Sequence, residues 1–439
     1  MNIDRVRAIA DAVLYEGYIL YPYRPSAVKN RQRWTFGGVF PHAYARLGGE
    51  TSSMRTEVLL RAEPCAEIDV MARFLHTQIR QIGKVSDPTA EFGVDLAYDP
   101  VAALEVEGKQ FVSWDEAVER QVRVTAGLVD ILGEPRRVTF CFPVTRKVDA
   151  IRSSEDLVVG GIIRSCKALE GRLDLSATDL GDGIFRLSIA IENTTPLLDP
   201  DKLSRMEAQG YALLSTHMIM HARHAEFVSL LEPPEHLLEA AGACINHGIW
   251  PVLVGEDTAR DTLLSSPIIL YDYPKIAPES QGPFFDGAEI DELLTLRVLT
   301  LTDEEKREMA AADPLTRNIL ERCETLNKDQ FGALHGAFRP CGATGAEGMT
   351  RSADGEDLGL TVGLHVRLAP RARGDIMDIA LKGKIAVIES IERDFDGRTH
   401  IAVTVLDDPG SDLGAAGFPG HRFFFSPQEV EPMVDGELS

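Results

Sequence analysis

The sequence predicts an α+β chain that is mostly β. It would have an antiparallel, β-sandwich-like core with short helices, followed by a small C-terminal β-barrel of SH3-like type. Three observations predict this. In the middle of the chain, Val138, Phe140 and Phe142 alternate with Thr139 and Cys141, and Leu173, Leu175 and Ala177 alternate with polar residues. Phe185, Leu187, Ile189 and Ile191 do the same after a Gly181-Asp182-Gly183 turn. Period-two patterning with one polar face marks half-buried antiparallel strands, which bury their apolar faces by stacking. Near the end, Ile385, Val387 and Ile388 lead to Asp394-Phe395-Asp396-Gly397, and Ile401, Val403 and Val405 return. An Asp-Gly pair between two apolar runs is a hairpin signal.

The first element is helical. Val6, Ile9, Ala10, Val13 and Leu14 share one face, Asp4 is placed to cap it, and Gly17 ends it. The stretch from Tyr18 to Phe40 is aromatic and basic, broken by proline and glycine, and reads as an ordered loop. Residues 54–82 read as two strands with a turn near Glu63-Pro64. Helical spacing begins near Asp201, and 236–246 forms a further short helix. Trp250–Val254 and Pro267–Tyr271 read as short buried strands, and Tyr271–Phe285 as an extended loop. Thr302-Asp303-Glu304-Glu305 is a capping box. Asp313-Pro314 opens another helix, whose buried face is Leu315, Ile319, Leu320 and Cys323. The glycine-rich, aperiodic stretch 327–362 reads as a linker. The expected division is 1–130, an N-terminal α+β region; 131–326, a sandwich-like region with helical additions; the linker; and the barrel at 363–432.

At 439 residues, with 44% hydrophobic and 26% charged residues, the chain can bury a sizeable core. The formal charge of −23, from 45 basic and 68 acidic residues, repels phosphate backbones and argues against nucleic-acid binding. It also steers the chain toward basic partner surfaces. Six scattered cysteines form no C-x-x-C pair, which points to a reducing compartment. The N-terminus lacks the pattern of a secretory signal, and no stretch approaches ~20 apolar residues, so the expectation is a cytoplasmic protein without a membrane span.

Two constellations carry candidate chemistry. On a helix, His217, His221 and His224 would share one face and hold a divalent metal, as in a metal-dependent hydrolase. On a strand, His224 would point away from the other two. Cys244-Ile245-Asn246-His247 offers half a zinc site or a Cys-His pair, against the plainer reading of a buried cysteine beside a helix end. The segment containing Tyr21, Tyr23, Arg24, Lys29, Arg31, Arg33 and Trp34 has the arginine and aromatic content of an interface, or else pairs with the protein's own carboxylates. Phosphate loops and nucleophile elbows are absent.

Several unusual strings occur together: Tyr21-Pro22-Tyr23-Arg24-Pro25-Ser26 with Lys29-Asn30; Ser265 to Tyr271; Ala277-Pro278-Glu279-Ser280; and Gly420-His421-Arg422-Phe423-Phe424-Phe425 running into Glu429-Val430-Glu431-Pro432. In these the chain resembles an uncharacterised protein family encoded in nickel-iron hydrogenase gene clusters of aerobic hydrogen-oxidising bacteria. The resemblance spans positions 21 to 432 and carries no catalytic residue. It implies a non-enzymatic accessory role in assembling, maturing or stabilising a hydrogenase, with a hydrogenase subunit or maturation factor as partner. Tyr271, Glu279 and His421 join the candidate contact residues. The plainer alternative is a structural component of another assembly.

Overall fold

The structure is a computed structural model. It describes residues 3–34, 36–85, 98–276, 280, 282–286, 291–326, 360–361, 363–369, 381, 383–393, 399–406, 412–413, 418–419 and 423–433. The fold is mostly β and antiparallel, and the chain divides into two units, Met1–Gly336 and Ala337–Ser439.

The first unit is organised by one 33-residue strand, Ser53–Val85. The expected turn at Glu63-Pro64 is not a reversal. Residues 63–66 bulge out of this strand, because Ala62 pairs with Ala225 and Glu67 with Arg223, leaving four residues opposite His224 alone. Pro64 lacks a ladder N–H, and a bulge is where a sheet tolerates that. The front of the strand pairs with Ile184–Asn193, and the later part with Leu214–Val228 on one side and Trp114–Gly127 on the other. The order Trp250–Leu253, Thr262–Ser266, Leu214–Val228, Ser53–Val85, Ile184–Asn193, Leu169–Gly181, Arg136–Phe142 runs through one sheet of eleven strands. The expected boundary at residue 130 is therefore corrected: this sheet takes strands from both sides of it.

The sheet closes on itself in the manner of a sandwich. Phe140 and Phe142 lie three strands from Phe74 in the ladder, yet their rings sit 5.9 and 6.0 Å from its ring. Leu173, Leu175, Leu187, Ile189 and Ile191 are wholly buried in the same core. These are the residues whose alternation predicts half-buried strands.

Helix Ile3–Tyr15 lies over the opposite face, and Val6, Ala10 and Val13 pack on Ile219, Val252, Val254 and Leu264. Asp4 stands inside its first turn rather than before it. Near the other end, Asp313 caps helix Pro314–Thr325 by accepting from the N–H groups of Leu315 and Thr316 at 2.8 and 3.0 Å. Thr302 and Glu305 form the expected capping box before Asp303–Ala312.

In the second unit, a five-stranded antiparallel sheet curls into a half-barrel around Val366, Ile388, Ile401, Val403 and Phe425. The hairpin of Ile385–Arg393 with Thr399–Val405 is present, while its turn at 394–397 and nearly all of the 327–362 linker lie outside the described residues.

Candidate functional site

The predicted histidine cluster does not form. His217, His221 and His224 lie on strand Leu214–Val228, not on a helix. At ~3.3 Å per residue, four residues separate His217 and His221 by roughly 13 Å. His217 is fully buried, its Nδ1 lies 3.1 Å from the Ser215 carbonyl, and burial lowers its pKa to about 3. His221 is half-buried, with Nδ1 3.0 Å from the Asp261 carbonyl. His224 is exposed, on the other face, in a left-handed conformation with φ of 54°. The metal-hydrolase reading of these three is thereby corrected: the strand replaces the helical face the reading requires.

Cys244 and His247 each have other neighbours. Cys244 Sγ lies 3.6 Å from the Ala240 carbonyl, and burial raises the thiol pKa to about 11, the reverse of an activated thiolate. His247 is exposed and lies 3.5 Å from Thr51 Oγ1.

Register assembles a polar cleft that no motif announces. Arg73 pairs with His217 and Gln121, Met71 with Ile219 and Arg123, and Asp69 with His221 and Thr125. Equal parity puts all nine on the face beneath helix Ile3–Tyr15. There a cleft of about 290 Å³ is lined by Arg7, Asp69, Arg73, Gln121, Arg123 and His221, with Val6, Met71 and Ile219. Arg73 is buried; its Nη2 donates to Asp11 at 2.5 Å and to Glu119 at 3.3 Å, and its Nη1 has no protein acceptor. Burial pushes the Asp69 pKa up, but the Arg123 guanidinium bonded to it outweighs this and holds it below its ordinary value. Three guanidiniums make the cleft a poor cation site.

The basic aromatic segment turns inward. Tyr23, Arg33 and Trp34 are buried, which corrects their assignment as contact residues. The Arg33 guanidinium lies between the rings of Trp114 and Trp34, at 3.6 and 4.2 Å, and donates to the carbonyls of Tyr18 and Asp115. Burial lowers its pKa to about 10. Arg24 bridges Glu305 and Glu308 at 3.0 and 3.7 Å, and Lys29 reaches the buried Asp286 at 3.1 Å. Tyr21 is half-buried beside Tyr23 and Arg297. Pairing with the protein's own groups is thus the reading that holds for Arg24, Lys29 and Arg33. The Arg31 side chain, Glu279 and His421 lie outside the described residues.

The segment after Ser266 behaves in the opposite way. The sheet strand stops at Ser266, so Pro267–Tyr271 is not the buried strand its composition predicts. Ile268 and Leu270 pack toward the first helix, while Ile269 is 90% and Tyr271 82% exposed. An apolar groove of about 480 Å³ runs between this segment and the helix, lined by Ile9, Val13, Phe36, Ile268, Leu270 and Ile276. No protein-family model matches the chain, and no curated protein is significantly similar to it. No helix among the described residues is long and apolar enough to cross a membrane.

Proposed function

We propose that this protein is an accessory factor that docks another protein on the apolar groove beside Ile269 and Tyr271. A hydrogenase subunit or maturation factor is the partner. One observation carries the docking reading: a groove walled by Ile9, Val13, Ile268 and Leu270 stands next to two large apolar side chains held out in water. Large apolar side chains left in water beside an apolar groove mark an interaction site, and aromatic side chains supply much of the energy at such sites. The same segment, Ser265 to Tyr271, is one of the strings on which the family resemblance rests, and this supports the choice of partner. The net charge of −23 favours a partner with a basic surface around its apolar anchor.

The test titrates the purified chain against purified subunits and maturation proteins encoded beside it. Saturable binding is expected to one of them, and Tyr271→Ser with Ile269→Ser is expected to weaken it by roughly tenfold or more. Unchanged binding by the double variant removes the groove as the docking surface. Absence of binding to all of them removes the hydrogenase reading.

A further inference from the structure

We propose that Glu63, Cys65 and His224 form a zinc site on the bulge of the long strand. Their ligand atoms all lie within 4.8 Å of one another, and they are the only such group of three among the described residues. Thiolate, imidazole and carboxylate are the three side-chain ligand types that Zn²⁺ takes. The four-residue bulge brings Glu63 and Cys65 to one edge of the gap opposite His224, two residues apart and so on one side of the strand.

The spacing fits the ion. Cys65 Sγ stands 3.6 Å from Glu63 Oε2. With Zn–S of ~2.3 Å and Zn–O of ~2.1 Å, a tetrahedral centre places sulfur and oxygen about 3.6 Å apart. All three side chains are exposed, and the ligand nitrogen of His224 lies within 4.8 Å of the ligand atoms of the other two. Nearby, the Arg223 guanidinium is engaged by Glu67, which screens the metal from it. Binding forms a Zn–S bond and releases the Cys65 thiol proton to solvent. The fourth position is left to water, as in three-ligand zinc centres. This site does not depend on the docking groove.

The experiment uses the full chain with any purification tag removed and the thiols kept reduced. Zn²⁺ is titrated in competition with a chromophoric chelator, and Co²⁺ is added separately as a spectroscopic probe. One Zn²⁺ per chain is expected, together with a sulfur-to-cobalt charge-transfer band. Cys65→Ser should abolish the band, whereas Cys141→Ser, at the other exposed cysteine among the described residues, should keep it. His224→Gln and Glu63→Gln should each weaken Zn²⁺ by roughly tenfold or more. Because these positions are exposed, unchanged circular dichroism will show that the variants fold. Substoichiometric zinc, or a band that survives in Cys65→Ser, overturns the assignment.

Discussion

At the scale of single residues, the molecule spends arginines and histidines on its interior. Arg33 is held by two carbonyls and two indole faces, so Arg33→Ala removes two stacking contacts and leaves the Tyr18 and Asp115 carbonyls unpaired. Loss of about 2–4 kcal/mol is expected in urea unfolding, and Arg33→Lys should recover little, because an ammonium cannot reproduce the planar stack. The buried histidines set an acid limit. Burial lowers His217 to about 3 and His76 to about 4, below the ordinary 6.5. Unfolding lets both rings take up protons that the folded chain refuses. Stability is therefore whole above pH ~6.5 and falls as pH drops below it, by up to ~1.4 kcal/mol per unit for each ring until its folded pKa is reached. Replacing His217 with Gln should remove about one proton from the pH dependence between pH 6 and 4, and an unchanged slope would show that this ring is not buried neutral.

At the scale of elements, capping chemistry was legible from two or three letters and long-range pairing was not. Thr302 with Glu305, and Asp313 before Pro314, announce their helices because the cap bonds span at most three residues. Asp313 adds what local reading misses: its second oxygen accepts the Tyr18 hydroxyl at 2.9 Å across the fold. Asp313→Ala should cost about 2–3 kcal/mol, well beyond the ~1 kcal/mol of an isolated cap, and Thr302→Ala should cost only the latter. The alternating strands were equally legible, since burial on one face imposes period two. The bulge at 63–66 was not, because Glu63-Pro64 looks the same in a reversal as in a bulge until the partner strand is known. The histidine segment reads equally as a helix face or a strand for a similar reason: i and i+4 are neighbours on one backbone and far apart on the other. The exposure of Ile269 and Tyr271 is hidden by composition, which predicts a buried strand there, and Arg73 and Arg123 are single charges that only cross-strand register brings together.

At the scale of the whole molecule, two units with separate cores should unfold separately. The core of Val366, Ile388, Ile401, Val403 and Phe425 shares no residue with the clusters of the first unit. Calorimetry is expected to resolve two transitions, with Arg33→Ala lowering only that of the larger unit; a single transition shifted as a whole would show the units to be coupled. The alternation announced a mostly β chain with a small terminal barrel, but the boundary at 130 was invisible because one 33-residue strand carries both halves of the sheet. The chain's outward face combines a charge of −23 with an apolar groove, a pairing suited to capturing a protein. The most direct test is affinity capture of the tagged chain, and of its Ile269→Ser, Tyr271→Ser variant, from cells of the source organism grown with hydrogen, read by mass spectrometry. Enrichment of hydrogenase subunits or maturation proteins by the native sequence and their loss from the variant is the predicted result. Recovery of the chain alone, or equal recovery of those partners by both, would contradict it.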